Sequence, residues 1–79
     1  MITVLFFGPV AERVGASRLD VEFQTGMRLQ DVQAHLQSRY PEAFALVSLA
    51  AVNGEQVRDR SLPLADNSEV VFMSKFSGG

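Results

Sequence analysis

The residues with the clearest chemical potential are the two glycines that end the sequence, Gly78 and Gly79. They follow Lys75, Phe76 and Ser77, which show no pattern typical of a helix or a strand. A glycine has no Cβ atom, so it can enter a channel too narrow for other residues and adopt any backbone conformation there. Five extended residues span about 16–18 Å. We therefore expect a flexible tail, residues 75–79, to present the Gly79 carboxylate inside the active site of another protein.

A carboxylate is a poor acyl donor, and its activation normally consumes ATP. The chain contains neither a Gly-x-x-x-x-Gly-Lys-[Ser/Thr] loop nor a Gly-x-Gly-x-x-Gly motif for nucleotide binding. It has no cysteine, which excludes a thiol nucleophile, a disulfide and a thiolate zinc site. His35 is its only histidine, and no second ligand lies at a metal-binding spacing, so no metal site is predicted. If Gly79 is activated, a separate enzyme does it, and this chain is a carrier without a cofactor or a complete active site.

Length and composition limit the alternatives. With 79 residues, of which 47% are hydrophobic and 20% charged, the chain is typical of one small globular domain. A chain with a net charge of −2 lacks the basic surface that nucleic-acid binding requires. No segment reaches the roughly 18 apolar residues of a membrane span, and the apolar N-terminus has no basic leader. We expect a cytoplasmic protein that binds neither nucleic acid nor membranes.

The hydrophobic patterning predicts an α+β domain over residues 1–74. One main helix is expected from about Leu29 to Tyr40, because its apolar residues recur at helical spacing and Pro41 ends it. Asn53-Gly54 predicts a tight hairpin. Strands are predicted at residues 2–7, 18–23, 49–52, from 56 and at 69–74, with a helical turn at 10–14. This order favours a mixed sheet of about five strands with the main helix packed on one face.

The first and last strands carry more apolar residues than one helix can cover. If alternate residues face the helix, then Leu5 and Phe7 point to the other face of the sheet, as do Val71 and Met73. On adjacent central strands these four would form a continuous apolar surface. We interpret this surface as a docking site for another protein. The alternative is that the chain's own loop around Leu62 and Leu64 covers it.

Several segments, in this order and spacing, resemble the small subunit of molybdopterin synthase. They are a Val-Leu-Phe-Phe strand, a Glu-Arg-x-x-Gly segment, a Val-Asn-Gly hairpin, a Leu-x-Asp-x-x-Glu-Val approach to the last strand and a terminal Ser-Gly-Gly, at residues 4–7, 12–15, 52–54, 64–70 and 77–79. The resemblance covers nearly the whole chain. It implies a ubiquitin-like β-grasp fold, in which the first and last strands lie side by side and parallel.

The resemblance also implies a function. In that family an E1-like adenylyltransferase uses ATP to adenylate the carboxylate that corresponds to Gly79, and sulfur then replaces one oxygen to give a thiocarboxylate. The tail inserts into the large synthase subunit, in a heterotetramer, where the sulfur attacks a pterin precursor of the molybdenum cofactor. The partner-binding residues implied here are those of the apolar surface together with Lys75 and Phe76.

In one respect the sequence departs from the family, which often has Pro-Pro before its last four residues. Ser74-Lys75 stands there instead, which makes the tail more flexible and adds a positive charge near the carboxylate. Three other readings remain open: a sulfur carrier for another product, such as the thiazole of thiamine or cysteine; a ubiquitin-like tag joined to lysines of target proteins; and a plain interaction module whose Gly-Gly end has no chemical role.

Overall fold

A computed structural model describes residues 1–75. Its elements follow the predicted order: the predicted helical turn at 10–14 is part of a short helix, and one further short helix is added after the main one. The elements are β1 (Ile2–Phe6), α1 (Gly8–Val14), β2 (Arg18–Val21), α2 (Leu29–Arg39), α3 (Pro41–Phe44), β3 (Leu49–Val52), β4 (Glu55–Val57) and β5 (Glu69–Met73). None of the helices in this part of the chain is both long and apolar enough to cross a membrane.

The five strands form one mixed sheet in the order β2-β1-β5-β3-β4. The first and last strands, β1 and β5, lie side by side and parallel in the centre, as the resemblance implied, and the other neighbouring strands are antiparallel. Thr3 pairs with Glu69 and Phe6 with Phe72, so β1 and β5 run together over four of the five residues of each strand. The predicted α+β architecture is confirmed.

The hydrophobic core lies between one face of the sheet and α2. Leu29, Val32 and Leu36 of α2 are buried in one cluster with Val4 and Val70 of the central strands. Three phenylalanines from different elements meet within this cluster: the rings of Phe6, Phe44 and Phe72 lie 5.1–6.4 Å apart. Such aromatic contacts add to the free energy gained from burial. They fix β1, β5 and α3 against one another.

Local backbone geometry explains where some elements end. Gly15 ends α1 with a φ of +85°, and its N–H donates to the carbonyl of Ala11. Asn53 and Gly54 have φ values of +51° and +87°, which is the two-residue hairpin geometry predicted from their types. Pro41 comes after the end of α2, as predicted, and also begins α3. The N–H of a first helical residue has no partner within the helix, so a proline loses no hydrogen bond there. The second strand ends at Val21, two residues earlier than predicted.

Candidate functional site

The site begins with the alternation of side chains along β1. Ile2, Val4 and Phe6 are fully buried on the helix side of the sheet. Leu5 lies between them and points to the opposite face, where it is half-buried. Phe7 follows the last residue of the strand in an extended conformation and is 50% exposed. The first strand therefore contributes apolar side chains to both faces.

Strand register brings the other predicted residues to the same outer face. Leu5 pairs with Val71 across β1 and β5, and residues directly opposite each other point to the same side of a sheet. On the other side of β5, Val71 pairs with Ala51 and Met73 pairs with Leu49. We call this surface the docking face; it consists of Leu5, Phe7, Leu49, Ala51, Val71 and Met73.

The docking face is separate from the hydrophobic core. None of its residues belongs to the core cluster or is among the partly buried residues packed against that cluster. Val71 nonetheless exposes only 9% of its surface, because Leu5 and Ala51 flank it on both sides. Phe7, in contrast to Val71, exposes half of its surface and lies beyond the end of the strand. A flat apolar surface with one protruding aromatic ring is suited to insertion into a pocket on a partner.

The loop around Leu62 and Leu64, the alternative cover for this surface, lies elsewhere. Leu62 accepts a hydrogen bond from the Leu29 N–H at its carbonyl, at 2.9 Å, and the Leu64 N–H donates to Met27 at 2.9 Å. Leu64 is 8% exposed and part of the core cluster, against which Leu62 packs. The loop therefore closes the N-terminal end of α2 on the helix side of the sheet. It leaves the docking face open.

Polar residues border the docking face on both sides. Towards β2, Leu5 pairs with Arg18 and Thr3 pairs with Asp20, and the Arg18 guanidinium lies 3.5 Å from the Asp20 carboxylate. Towards β4, Ala51 pairs with Gln56. An apolar centre with a polar rim is the composition typical of protein–protein interfaces.

The tail begins at one end of the docking face. Met73 is the last residue of β5, and Ser74 and Lys75 follow it. A cavity of about 380 Å³ lies there, lined by Pro9, Ala45, Leu46, Ser48, Ser74 and Lys75. Because Pro9 follows Phe7 by two residues and Ser74 follows Met73 directly, this cavity adjoins the docking face. Lys75 is exposed. The predicted residues Phe76, Gly78 and Gly79 lie outside the described part of the chain.

Within the described part of the chain, two carboxylates have pKa values below the ordinary range, and both are exposed turn residues. The Ser61 hydroxyl and backbone N–H donate to Asp59 and lower its pKa. The Met1 ammonium donates to Asp66 Oδ1 at 2.6 Å and lowers the pKa of that carboxyl. Each hydrogen bond stabilises a turn. Among residues 1–75, no group of three His, Cys, Asp or Glu side chains could hold a metal ion.

Sequence reasoning did not place two residues of the docking face, Leu49 and Ala51. All four residues of β3 are apolar, so their types do not indicate which of them point outward. Only the pairing of β3 with β5 settles this, since it puts Ala50 and Val52 in the core. Only a predicted register between β3 and β5 could have shown that Leu49 and Ala51 point outward.

The sequence profile of the ThiS family matches residues 4–79. No curated protein sequence matches the chain. Among solved structures, the chain is similar to SAMP1 from Haloferax volcanii, with 19% identity, a TM-score of 0.82 and coverage of 99% of this chain and 98% of that one. It is also similar to a protein described as putative molybdopterin converting factor, subunit 1, from Pyrococcus furiosus, with 20% identity, a TM-score of 0.81 and coverage of 92% and 94%. A third structure is the complex of subunits 1 and 2 of molybdopterin-converting factor from Helicobacter pylori, where the match has 21% identity, a TM-score of 0.74 and coverage of 99% and 97%. These likenesses confirm the ubiquitin-like β-grasp fold.

Proposed function

We propose that this chain, which belongs to the ThiS family and is a sulfur carrier or a ubiquitin-like modifier, is the sulfur-carrying small subunit of a molybdopterin synthase. The proposal assigns the chemistry to the Gly79 carboxylate and the recognition to the docking face. Gly78 gives the end of the tail the narrow profile that a confined active site requires. Lys75 and Phe76 contact the partner at the mouth of that site.

The carrier is activated in two steps at its terminal carboxylate. An E1-like adenylyltransferase joins the carboxylate to AMP from ATP and releases pyrophosphate. A sulfide equivalent then attacks the acyl carbon and displaces AMP, which leaves a thiocarboxylate on Gly79. In the large synthase subunit this sulfur attacks a carbon of the pterin precursor and replaces a carbon–oxygen bond there, because a thiocarboxylate is a much better nucleophile than a carboxylate. Water then hydrolyses the resulting thioester, which leaves the sulfur on the pterin and returns Gly79 to a carboxylate. Two such transfers supply the two sulfurs of the product.

The observation that carries the proposal is the position of the tail relative to the docking face. Val71 and Met73 belong to β5, and Ser74 alone separates Met73 from Lys75, the first residue of the tail. A partner that binds the docking face therefore receives the tail at a fixed distance. Docking replaces a bimolecular encounter between sulfur and pterin by an effectively unimolecular one, which raises the local concentration of the nucleophile.

The relatives support a two-component assembly. The Helicobacter pylori structure contains subunits 1 and 2 of molybdopterin-converting factor in one complex. The open docking face and polar rim of this chain fit such a role, because an apolar surface of this kind is usually covered by another protein. We infer a large synthase subunit as the main partner, in a heterotetramer, and an E1-like enzyme as a second partner.

Reconstitution tests the proposed pathway. The thiocarboxylated chain is mixed with a purified large synthase subunit and the cyclic pterin precursor, and the dithiolene product is measured. The control is the same chain extended by one alanine after Gly79, which keeps every residue of the domain. Product from the first chain alone supports the proposal. A thiocarboxylated chain that transfers sulfur to a thiazole or cysteine precursor, and not to the pterin, contradicts the molybdopterin assignment.

A ubiquitin-like modifier is the second candidate. The likeness to SAMP1 favours it, because SAMP1 stands for small archaeal modifier protein 1. In that case an amine of a target protein, rather than sulfide, attacks the activated Gly79 and displaces AMP. Cell extracts probed for this chain would then show a ladder of covalent adducts. A carrier without modifier activity gives a single band.

A further inference from the structure

The open edge of the sheet at β2 has a charge pattern that is complementary to itself. β2 pairs with β1 on one side and, within residues 1–75, with no strand on the other. Exposed edges normally carry charges that discourage pairing with other chains. Here Arg18 and Asp20 carry opposite charges two residues apart and point to the same face. An antiparallel copy of the same strand therefore meets each charge with its opposite.

Hydrogen bonding in the sheet shows which backbone groups the edge offers. The Phe6 N–H donates to the Ser17 carbonyl at 2.9 Å, and alternate residues of an antiparallel pair exchange such bonds. Ser17 and Leu19 therefore direct their backbone groups towards β1. Arg18 and Asp20 direct theirs towards the open edge, where no other segment of residues 1–75 bonds to them.

We propose that two copies of this chain associate through antiparallel pairing of their β2 strands, with Arg18 of each copy opposite Asp20 of the other. In this register the two backbones exchange hydrogen bonds at both Arg18–Asp20 positions. Leu19 of the two copies meet at the twofold axis on the helix side, where each is half-buried in the single chain. The charged side chains meet on the outer face.

The charges select this register over its neighbours. Moving one strand by two residues in one direction places the two Arg18 side chains directly opposite each other. Moving it by two residues in the other direction places the two Asp20 side chains opposite each other. Like charges at directly opposed positions destabilise a strand pair, and opposite charges stabilise it. Within each copy the Arg18 guanidinium already lies 3.5 Å from the Asp20 carboxylate, and only the Arg18–Asp20 register adds an opposite charge from the other copy to both.

The dimer leaves the docking faces accessible. The twofold axis is perpendicular to the sheet, so the outer faces of both copies point in the same direction and join into one surface. Leu5 pairs with Arg18, which puts the docking face of each copy next to, but not under, the new interface. Two tails are then presented on one continuous sheet. The contact is small, and we expect association only towards about 1 mM protein.

Sedimentation equilibrium at increasing concentration tests the dimer, and charge reversal tests its register. The wild-type chain should associate, and both Arg18→Asp and Asp20→Arg should lower its association constant about tenfold, since each makes two attractive pairs repulsive. The double variant Arg18→Asp, Asp20→Arg restores opposite charges at every pair and should recover association. Circular dichroism confirms the fold of each variant, and Arg13→Asp, which changes an exposed charge on α1, is the matched control.

Three results would overturn the proposal. One is a wild-type chain that stays monomeric at about 1 mM. Another is an association that the single reversals do not weaken more than Arg13→Asp does. The third is a double variant that associates no better than the single ones. None of these measurements involves the tail, so they are independent of whether Gly79 carries sulfur.

Discussion

Replacing Phe7 by serine should strongly weaken partner binding while the domain stays folded. Full burial of a phenylalanine side chain contributes about 1.5–3 kcal/mol. Phe7 is 50% exposed and lies outside the core, so its loss should cost about 1 kcal/mol of unfolding free energy. A domain of this size has about 3–5 kcal/mol of stability and tolerates that loss. An aromatic anchor at the centre of an interface contributes about 2 kcal/mol or more, so affinity should fall at least about 30-fold.

Phe6 provides the matched control, because it is the adjacent residue and faces the other way. It is fully buried and contacts the rings of Phe44 and Phe72. Truncating such a side chain costs about 3–5 kcal/mol, so Phe6→Ser should unfold the domain. Ala34→Ser, at an exposed position of α2, should change neither property.

Calorimetric titration with the large synthase subunit measures affinity, and denaturant unfolding measures stability. Phe7→Ser and Met73→Ser should both unfold cooperatively at a slightly lower denaturant concentration and bind weakly. If Phe7→Ser unfolds the domain, Phe7 belongs to the core and the assignment of the two faces is wrong. If it folds and binds as the wild type does, the docking face is not the interface.

Three further predictions concern the turns and the tail. Asp66→Asn should lower the free energy of unfolding at neutral pH and have no effect in acid well below about pH 3.9. The reason is that the pKa of Asp66 is lowered in the folded state, so its stabilisation is lost as the pH falls through that folded-state pKa. A stability difference between the variant and the wild type that persists in acid contradicts this. Gly54→Ala should cost about 1–2 kcal/mol in denaturant unfolding because φ is +87°, and Glu55→Ala should cost little; equal effects would refute the strain argument. One residue added after Gly79 should abolish sulfur transfer and leave the unfolding curve unchanged, and retained transfer would exclude the terminal carboxylate as the reactive group.

The element order could be predicted from sequence because it depends on local patterns. Alternation in residues 18–21 and the helical spacing of Leu29, Val32 and Leu36 each fix one element without knowledge of the rest. Asn53-Gly54 predicts its turn from the backbone conformations that these two residue types tolerate. The two faces of β1 followed from the same alternation, and so did the outward direction of Leu5.

Apart from the parallel pairing of β1 with β5, which the family resemblance implies, features that depend on long-range pairing could not be predicted. The outward direction of Leu49 and Ala51 comes from the register of β3 against β5. The side chain of Asn53 accepts a hydrogen bond from the Glu69 N–H at 2.9 Å, which ties the hairpin to the start of β5 across 16 residues of sequence. The position of the Leu62–Leu64 loop likewise depends on hydrogen bonds to the start of α2. In each case the residue types allow several partners and only the folded chain selects one.

Intact mass spectrometry tests the central claim most directly. The chain is incubated with ATP, a sulfide source and an E1-like enzyme, alongside a known carrier as a positive control, and its C-terminal peptide is then analysed. The account predicts replacement of one oxygen by sulfur, confined to the peptide that ends in Gly79 and absent without ATP. An unmodified peptide, under conditions that convert the known carrier, would contradict it.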